Sequence, residues 1–210
     1  MRVVKLADVP FQRPVLSSEK VFDGVIFDVV ADRVDLGDQG VVLREHVKHM
    51  GAVAVVAMND DGEIALILQY RHPAKAKLWE IPAGLLDVPG EPLLVAAQRE
   101  LAEEVDLTAS QWHVLVDLLT SPGGTDETLR IYLARGLVPT DTPHVREAEE
   151  ADMELRWVPL AEVVEAVMAG RVRDMAVVAG VLAVQAAQAA GWATLRPADA
   201  PTPPGVGGNR

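Results

Sequence analysis

The run Arg99-Glu100-Leu101-Ala102-Glu103-Glu104 constrains this chain more than any other part of it. Around it, Leu94, Ala97, Leu101 and Val105 recur at helical spacing and form one apolar face. The run therefore belongs on an amphipathic helix that starts near Pro92 and ends near Val105. At ~100° per residue, Glu100, Glu103 and Glu104 fall within an arc of about 100° on a neighbouring face. Glu100 and Glu104 stand one turn apart, so their carboxylates are adjacent. Like charges at this spacing cost roughly 0.2–0.5 kcal/mol per pair when exposed, and more when partly buried. The cluster also lies near the helix C-terminus, where the macrodipole disfavours negative charge. Such a face is either well solvated, with Arg99 softening the repulsion, or balanced by a bound cation. A hard divalent ion with oxygen ligands, Mg²⁺ or Mn²⁺, is the natural counterpart.

The rest of the chain reads as a frame for that helix. Residues 1–13 are a lead-in of mixed character, and residues 14–50 form a small β unit. Its strands are rich in Val, Ile and Phe at residues 21–24, 25–34 and 41–47, broken at Asp23-Gly24 and Gly37-Asp38-Gln39-Gly40. Residues 51–58 are a continuous apolar run ending in Asn59-Asp60-Asp61-Gly62, which predicts a hairpin with a return strand over residues 63–70. Further strands are expected over residues 112–119 and 129–134, separated by Ser121-Pro122-Gly123-Gly124. A short helix over residues 161–168 stops at Gly170, and Asp174 is placed to N-cap a second helix running to about Ala190. After Trp192 the chain turns to Pro, Gly, Ala and Thr, which predicts a disordered tail over residues 193–210. The expected organisation is an N-terminal β domain at 1–50, a catalytic domain at 51–192 and that tail.

Composition narrows the partners. A net charge of -12 argues against DNA or RNA, whose affinity comes from Lys and Arg neutralising phosphates, and against an anionic membrane surface. A small anionic substrate remains compatible if a metal carries the local positive charge. The absence of cysteine excludes disulfides, thiolate zinc sites and cysteine nucleophiles. The N-terminus shows no apolar signal region, and no apolar stretch approaches the ~20 residues that span a bilayer. A soluble, cytoplasmic protein is expected.

Flanking residues extend the helical motif in both directions. Gly84, Glu91, Arg99-Glu100-Leu101, Glu103-Glu104 and Leu107 follow the spacing of the Nudix box, and the chain resembles that family. Two positions depart from the pattern. Six residues instead of five separate Gly84 from Glu91, an insertion that a loop over residues 85–90 tolerates. Asp106 replaces the glycine that follows the helix, and Asp accepts a left-handed conformation better than most side chains. Gln69-Tyr70-Arg71-His72, Trp79-Glu80-Ile81-Pro82-Ala83-Gly84 and the Pro122 context are similar to the ADP-ribose pyrophosphatase branch of the family. That resemblance covers roughly residues 15–190.

The resemblance implies an α/β/α sandwich with a mixed sheet, preceded by a small antiparallel β domain that exchanges across a homodimer. It implies Mg²⁺-dependent (or Mn²⁺-dependent) hydrolysis of ADP-ribose to AMP and ribose 5-phosphate, with two or three ions per site. The implied metal ligands are Glu100 and Glu104, with Glu103 sharing a metal and the main-chain carbonyl of Ala83 contributing. Arg99 would hold the glutamates in place, supported by Glu91. The general base is expected in the loop over residues 144–152, at Glu150 or, next in order, Glu149. Arg71, Glu80 and Pro122 are expected to contact substrate, although Arg71 and Glu80 also suit a structural ion pair. Trp79 suits the core, and the five histidines are assigned no metal. The alternatives are a related enzyme for another nucleoside diphosphate sugar or dinucleotide, a non-catalytic nucleotide-sugar sensor, and a dimeric scaffold. Intact Glu100, Glu103 and Glu104 argue against a sensor, which has no need of them.

Overall fold

Parity along the strands decides how this chain layers, because alternate side chains of a strand face opposite sides of its sheet. The computed structural model describes residues 6–141, 144 and 153–203. The chain divides into two units, residues 1–49 with 121–126 and residues 50–120 with 127–210.

The first unit is an antiparallel sheet of β1 (Val15–Asp23), β2 (Asp28–Asp35) and β3 (Val41–Lys48), in that order. β2 starts later than its apolar composition predicts, because residues 24–27 form the connection from β1. Residues 121–126 join this unit along β3. Val47 N–H donates to the Gly124 carbonyl at 2.9 Å, and the Asp126 carboxylate accepts from His49 N–H at 2.7 Å. Val30 is the buried apolar residue of this sheet, whereas Val21, Phe22, Phe27 and Leu43 are exposed.

In the second unit, β4 (Ala52–Ala57) is the axis of a five-stranded sheet ordered β11-β8-β9-β4-β7. The partners are β7 (Ala83–Leu85), β8 (Leu107–Leu119), β9 (Thr128–Pro139) and β11 (Arg196–Pro197). β4 runs parallel to β9 and antiparallel to β7, so the sheet is mixed. A second sheet, ordered β10-β5-β6, contains β5 (Glu63–Arg71), β6 (Ala76–Glu80) and β10 (Glu154–Pro159).

The expected hairpin between residues 51–58 and 63–70 is therefore corrected. Its turn forms, with Asn59 N–H donating to the Glu63 carbonyl at 3.0 Å and the Asn59 side chain accepting from Glu63 N–H at 2.9 Å. Beyond the single bridge Met58–Ile64, the two strands part into different sheets. Both runs are apolar on both faces, and strands buried on both sides read as continuous hydrophobic segments. Such strands satisfy more surface between two layers than as a two-stranded ribbon.

Helix α1 (Leu93–Val105) covers one face of the five-stranded sheet, and α3 (Met175–Ala189) covers the other. On the α1 side, Val53, Val55, Ala57 and Tyr132 pack with Ala96, Ala97 and Leu101. On the α3 side, Ala54, Val56, Ile131 and Leu133 pack with Val177, Val181 and Val184. The period-two split of one apolar run thus builds both cores of an α/β/α sandwich. Helix α2 (Leu160–Met168) packs against α3 and β10. The Asp174 carboxylate caps α3 by accepting from Val177 N–H at 2.9 Å.

The disordered tail expected over residues 193–210 is corrected for residues 193–203, and residues 204–210 lie outside the described residues. Residues 193–203 are ordered, with β11 pairing antiparallel to β8 through Arg196–Val114 and Pro197–His113. Low hydrophobicity hid this segment, whose anchors are backbone carbonyls and one arginine in place of a run of apolar side chains. Among the described residues, no helix is long and apolar enough to cross a membrane.

Candidate active site

Helix α1 ends as its sequence requires. Asp106 adopts the left-handed conformation (φ 56°, ψ 38°), and its N–H returns to the Ala102 carbonyl at 3.1 Å. The inserted residue near Glu91 is absorbed in an exposed turn, where Gly90 takes φ 77° and Glu91 N–H bonds the Val88 carbonyl.

The apolar stripe of α1 seats Leu101 and Val105 in the core, and that seat carries Glu100 and Glu104 partly under the surface. They are 9% and 6% exposed, respectively. Burying a carboxylate is costly unless it is paired or hydrogen-bonded. Glu104 Oε2 accepts from the Ala83 N–H at 2.8 Å. Glu100 Oε1 accepts from Arg99 Nη1 at 2.6 Å, and Glu103 Oε2 accepts from the same nitrogen at 3.0 Å. The other side of the guanidinium is held by Glu91, at 3.2 Å from Nε and 3.1 Å from Nη2. Asp87 stands further off, 3.9 Å from Nη2.

One guanidinium thus serves three glutamates, with Glu104 beside them, and the cluster keeps an excess of negative charge. Hydrogen bonding to Glu91 is the largest influence pushing Arg99 above its ordinary range. Glu100 is held above the usual carboxylate range by burial, against the pull of Arg99. Its carboxyl also packs on the main chain of Gly84, in β7. A Cβ at Gly84 would lie 2.0 Å from both Glu100 Cδ and Oε1, so any side chain there would displace the Glu100 carboxylate.

That lane, floored by Gly84 and lined by oxygen donors with surplus negative charge, fits a hard divalent cation. Among the described residues, no three acidic or histidine side chains converge on one cation position, because Arg99 stands between Glu100 and Glu103.

Arg71, at the end of β5, and Glu80, at the end of β6, form a bidentate pair at 2.8 and 2.6 Å. Glu80 is buried and Arg71 is half-exposed. The Glu80 hydrogen bond leads the upward shift of Arg71, with smaller contributions from Glu104 and Asp174. The pair therefore lies within electrostatic reach of the glutamate cluster. Asp174 has charge reaching this pair as well as its capping role, which its N-cap pattern alone did not signal. Trp79 faces the core as expected. Pro122 falls in the segment 121–126, which belongs to the first unit. Glu149 and Glu150 lie outside the described residues.

Residues 48–176 match the family model described as the NUDIX domain. The chain belongs to the Nudix family. It is 50% identical over 184 residues to an ADP-ribose pyrophosphatase of Mycobacterium tuberculosis, covering 88% of each chain. It is 36% identical to an ADP-ribose pyrophosphatase of Bacillus subtilis, over 76% of this chain and 85% of that one. A crystal structure of an ADP compounds hydrolase superposes with a TM-score of 0.73, covering 88% of this chain and 99% of the other. At 21% sequence identity, that likeness speaks for the fold.

Proposed function

We propose that this Nudix hydrolase cleaves the pyrophosphate bond of ADP-ribose, giving AMP and ribose 5-phosphate. The observation that carries the chemistry is the half-buried glutamate cluster of α1, short of positive charge and built over a glycine that leaves it room. The substrate follows from relatives that share the sequence over most of their length.

Members of this family generally use divalent metal ions. Here we assign Mg²⁺, with Mn²⁺ as a substitute and two or three ions per site. When bound, such ions neutralise phosphoryl oxygens and lower the pKa of a coordinated water. Glu100 and Glu104 would be the main ligands, with Glu103 sharing an ion and the Ala83 carbonyl as a further donor. Arg99 orients Glu100 and Glu103, and Glu91 in turn fixes Arg99. Glu150, with Glu149 next in order, removes the proton from the attacking water. Arg71 and Glu80 hold the nucleotide end, where the buried carboxylate of Glu80 accepts hydrogen bonds and the exposed flank of Arg71 meets base or phosphate. Pro122 shapes the substrate loop. The exposed apolar side chains of the first unit support a homodimer in which that unit is exchanged. The protein is assigned to the cytoplasm, with no nucleic acid or membrane partner.

A substrate panel tests the assignment. With Mg²⁺ present, ADP-ribose should turn over faster than ADP-sugars, GDP-sugars, dinucleotides and nucleoside triphosphates, and chromatography should resolve AMP and ribose 5-phosphate. Faster turnover of another member would replace the substrate and keep the metal chemistry. For the base, Glu150→Gln should lower kcat strongly with KM little changed. A fully active Glu150→Gln beside an inactive Glu149→Gln would move the assignment by one residue.

A further inference from the structure

Arg130, near the start of β9, is 3% exposed and carries a charge that the proposed chemistry does not use. Asp117, its register partner on β8, takes the guanidinium at 2.6 Å from Nε and 3.2 Å from Nη2. A paired guanidinium still has donors to satisfy, and a buried donor left open is costly. Those donors go to the C-terminal segment. Arg130 Nη1 donates to the Ala200 carbonyl at 2.8 Å and Nη2 to the Pro201 carbonyl at 3.2 Å. Arg196 from the same segment adds a second cation to Asp117, at 2.7 Å.

The path of that segment follows the edge of the sheet. At the end of α3, Trp192 and Leu195 pack against the core on the α3 side, and the Trp192 ring lies 4.7 Å from the Arg135 guanidinium carbon. Arg196 and Pro197 then pair with Val114 and His113 on the outer edge of β8. Ala200 finally packs against the core on the α1 side. The β8–β9 ladder has a register shift between Val114 and Val116, beside the point where the segment crosses. Bulges and covering segments are both ways to keep an edge strand from pairing with another chain.

We infer that residues 192–201 are a clasp that covers the β8 edge of the five-stranded sheet at His113 and Val114, fastened through the buried Asp117–Arg130 pair. Without the clasp, Arg130 keeps its charge and loses two acceptors, and β8 loses its edge partners at His113 and Val114.

The test compares the full chain with Asp117→Asn, Arg196→Ala and a variant lacking residues 193–210. Thermal unfolding, light scattering and amide hydrogen exchange on β8 are measured for each. Deletion should lower Tm by at least about 5 °C, since in a chain of this size roughly 2–4 °C corresponds to 1 kcal/mol. It should also speed exchange at Val114 and its neighbours and give mass that rises with concentration. Should deletion abolish folding, the point variants still decide. Asp117→Asn should speed exchange or proteolytic cleavage within residues 192–203 while that at α1 stays unchanged, and Arg196→Ala should do so more weakly. Unchanged Tm, mass and β8 exchange on deletion would overturn the clasp. Asp117→Asn with an undisturbed C-terminal segment would overturn its fastening.

Discussion

At Gly84 the contact between β7 and α1 leaves no space for a side chain while the Glu100 carboxyl keeps its place, since a Cβ would stand 2.0 Å from it. Gly84→Ala must push Glu100 off its position while the surrounding sheet is kept. An ångström of misplacement at a reacting site costs on the order of 100-fold in rate. Steady-state kinetics of Gly84→Ala should therefore show at least about a 100-fold fall in kcat/KM, and near-wild-type rates would remove Gly84 from the account. Arg99 makes a different argument. Its planar fork reaches Glu91 on one side and Glu100 and Glu103 on the other, a span that the point charge of lysine cannot reproduce. Arg99→Lys should retain the fold by circular dichroism and lose about 10-fold or more in kcat. Full activity would show that charge alone suffices. These residues were legible in the sequence because the motif fixes their spacing, including Glu91 beyond its one-residue insertion. The reason for the glycine was not legible, because it lies in a contact between two elements distant along the chain. The proximity of Asp174 to Arg71 and Glu80 was hidden for the same reason.

The helices show how far local patterns carry. The stripe Leu94, Ala97, Leu101 and Val105 placed α1, and Asp174 marked the start of α3, because caps and periodicity act within a few residues. Strand partnership acts across the whole chain, so the turn after β4 was readable and the parting of β4 from β5 was not. Asp174 allows a test at this scale. Burial raises its pKa against the bond from Val177 N–H, so the folded state binds a proton there more tightly than the unfolded state. Its contribution to stability therefore declines as pH rises from the ordinary carboxylate range of about 4 through its raised folded value. Asparagine caps a helix about as well as aspartate. Asp174→Asn should gain on the wild type as pH is raised from about 4 toward about 7, and a Tm difference constant across that window would contradict this. On the same helix, a Cβ at Gly180 would stand 2.7 Å from Val56 Cγ2. Overpacking of roughly 1–3 kcal/mol should outweigh the helical preference for alanine, about 1 kcal/mol. Denaturant unfolding of Gly180→Ala should show a net loss of about 1 kcal/mol, and a stabilised variant would mean that α3 moves freely over β4.

Across the whole molecule, the two units differ in how much they bury. The second unit has two apolar cores and holds the glutamate cluster, whereas the first exposes Val21, Phe22 and Leu43 from a three-stranded sheet and Phe27 from the connection between β1 and β2. A sheet this small needs cover for an apolar face, which is the basis for proposing a homodimer. Light scattering at micromolar concentration should give twice the chain mass, and a monomer would remove the exchange of the first unit. The function rests on the second unit, and turnover tests it most directly. The decisive measurement follows ADP-ribose hydrolysis by wild type and Glu104→Gln with Mg²⁺ added and then chelated. The wild type should give AMP and ribose 5-phosphate only with the metal, and Glu104→Gln should lose at least about 100-fold. Metal-independent turnover, or an undiminished Glu104→Gln, would contradict this.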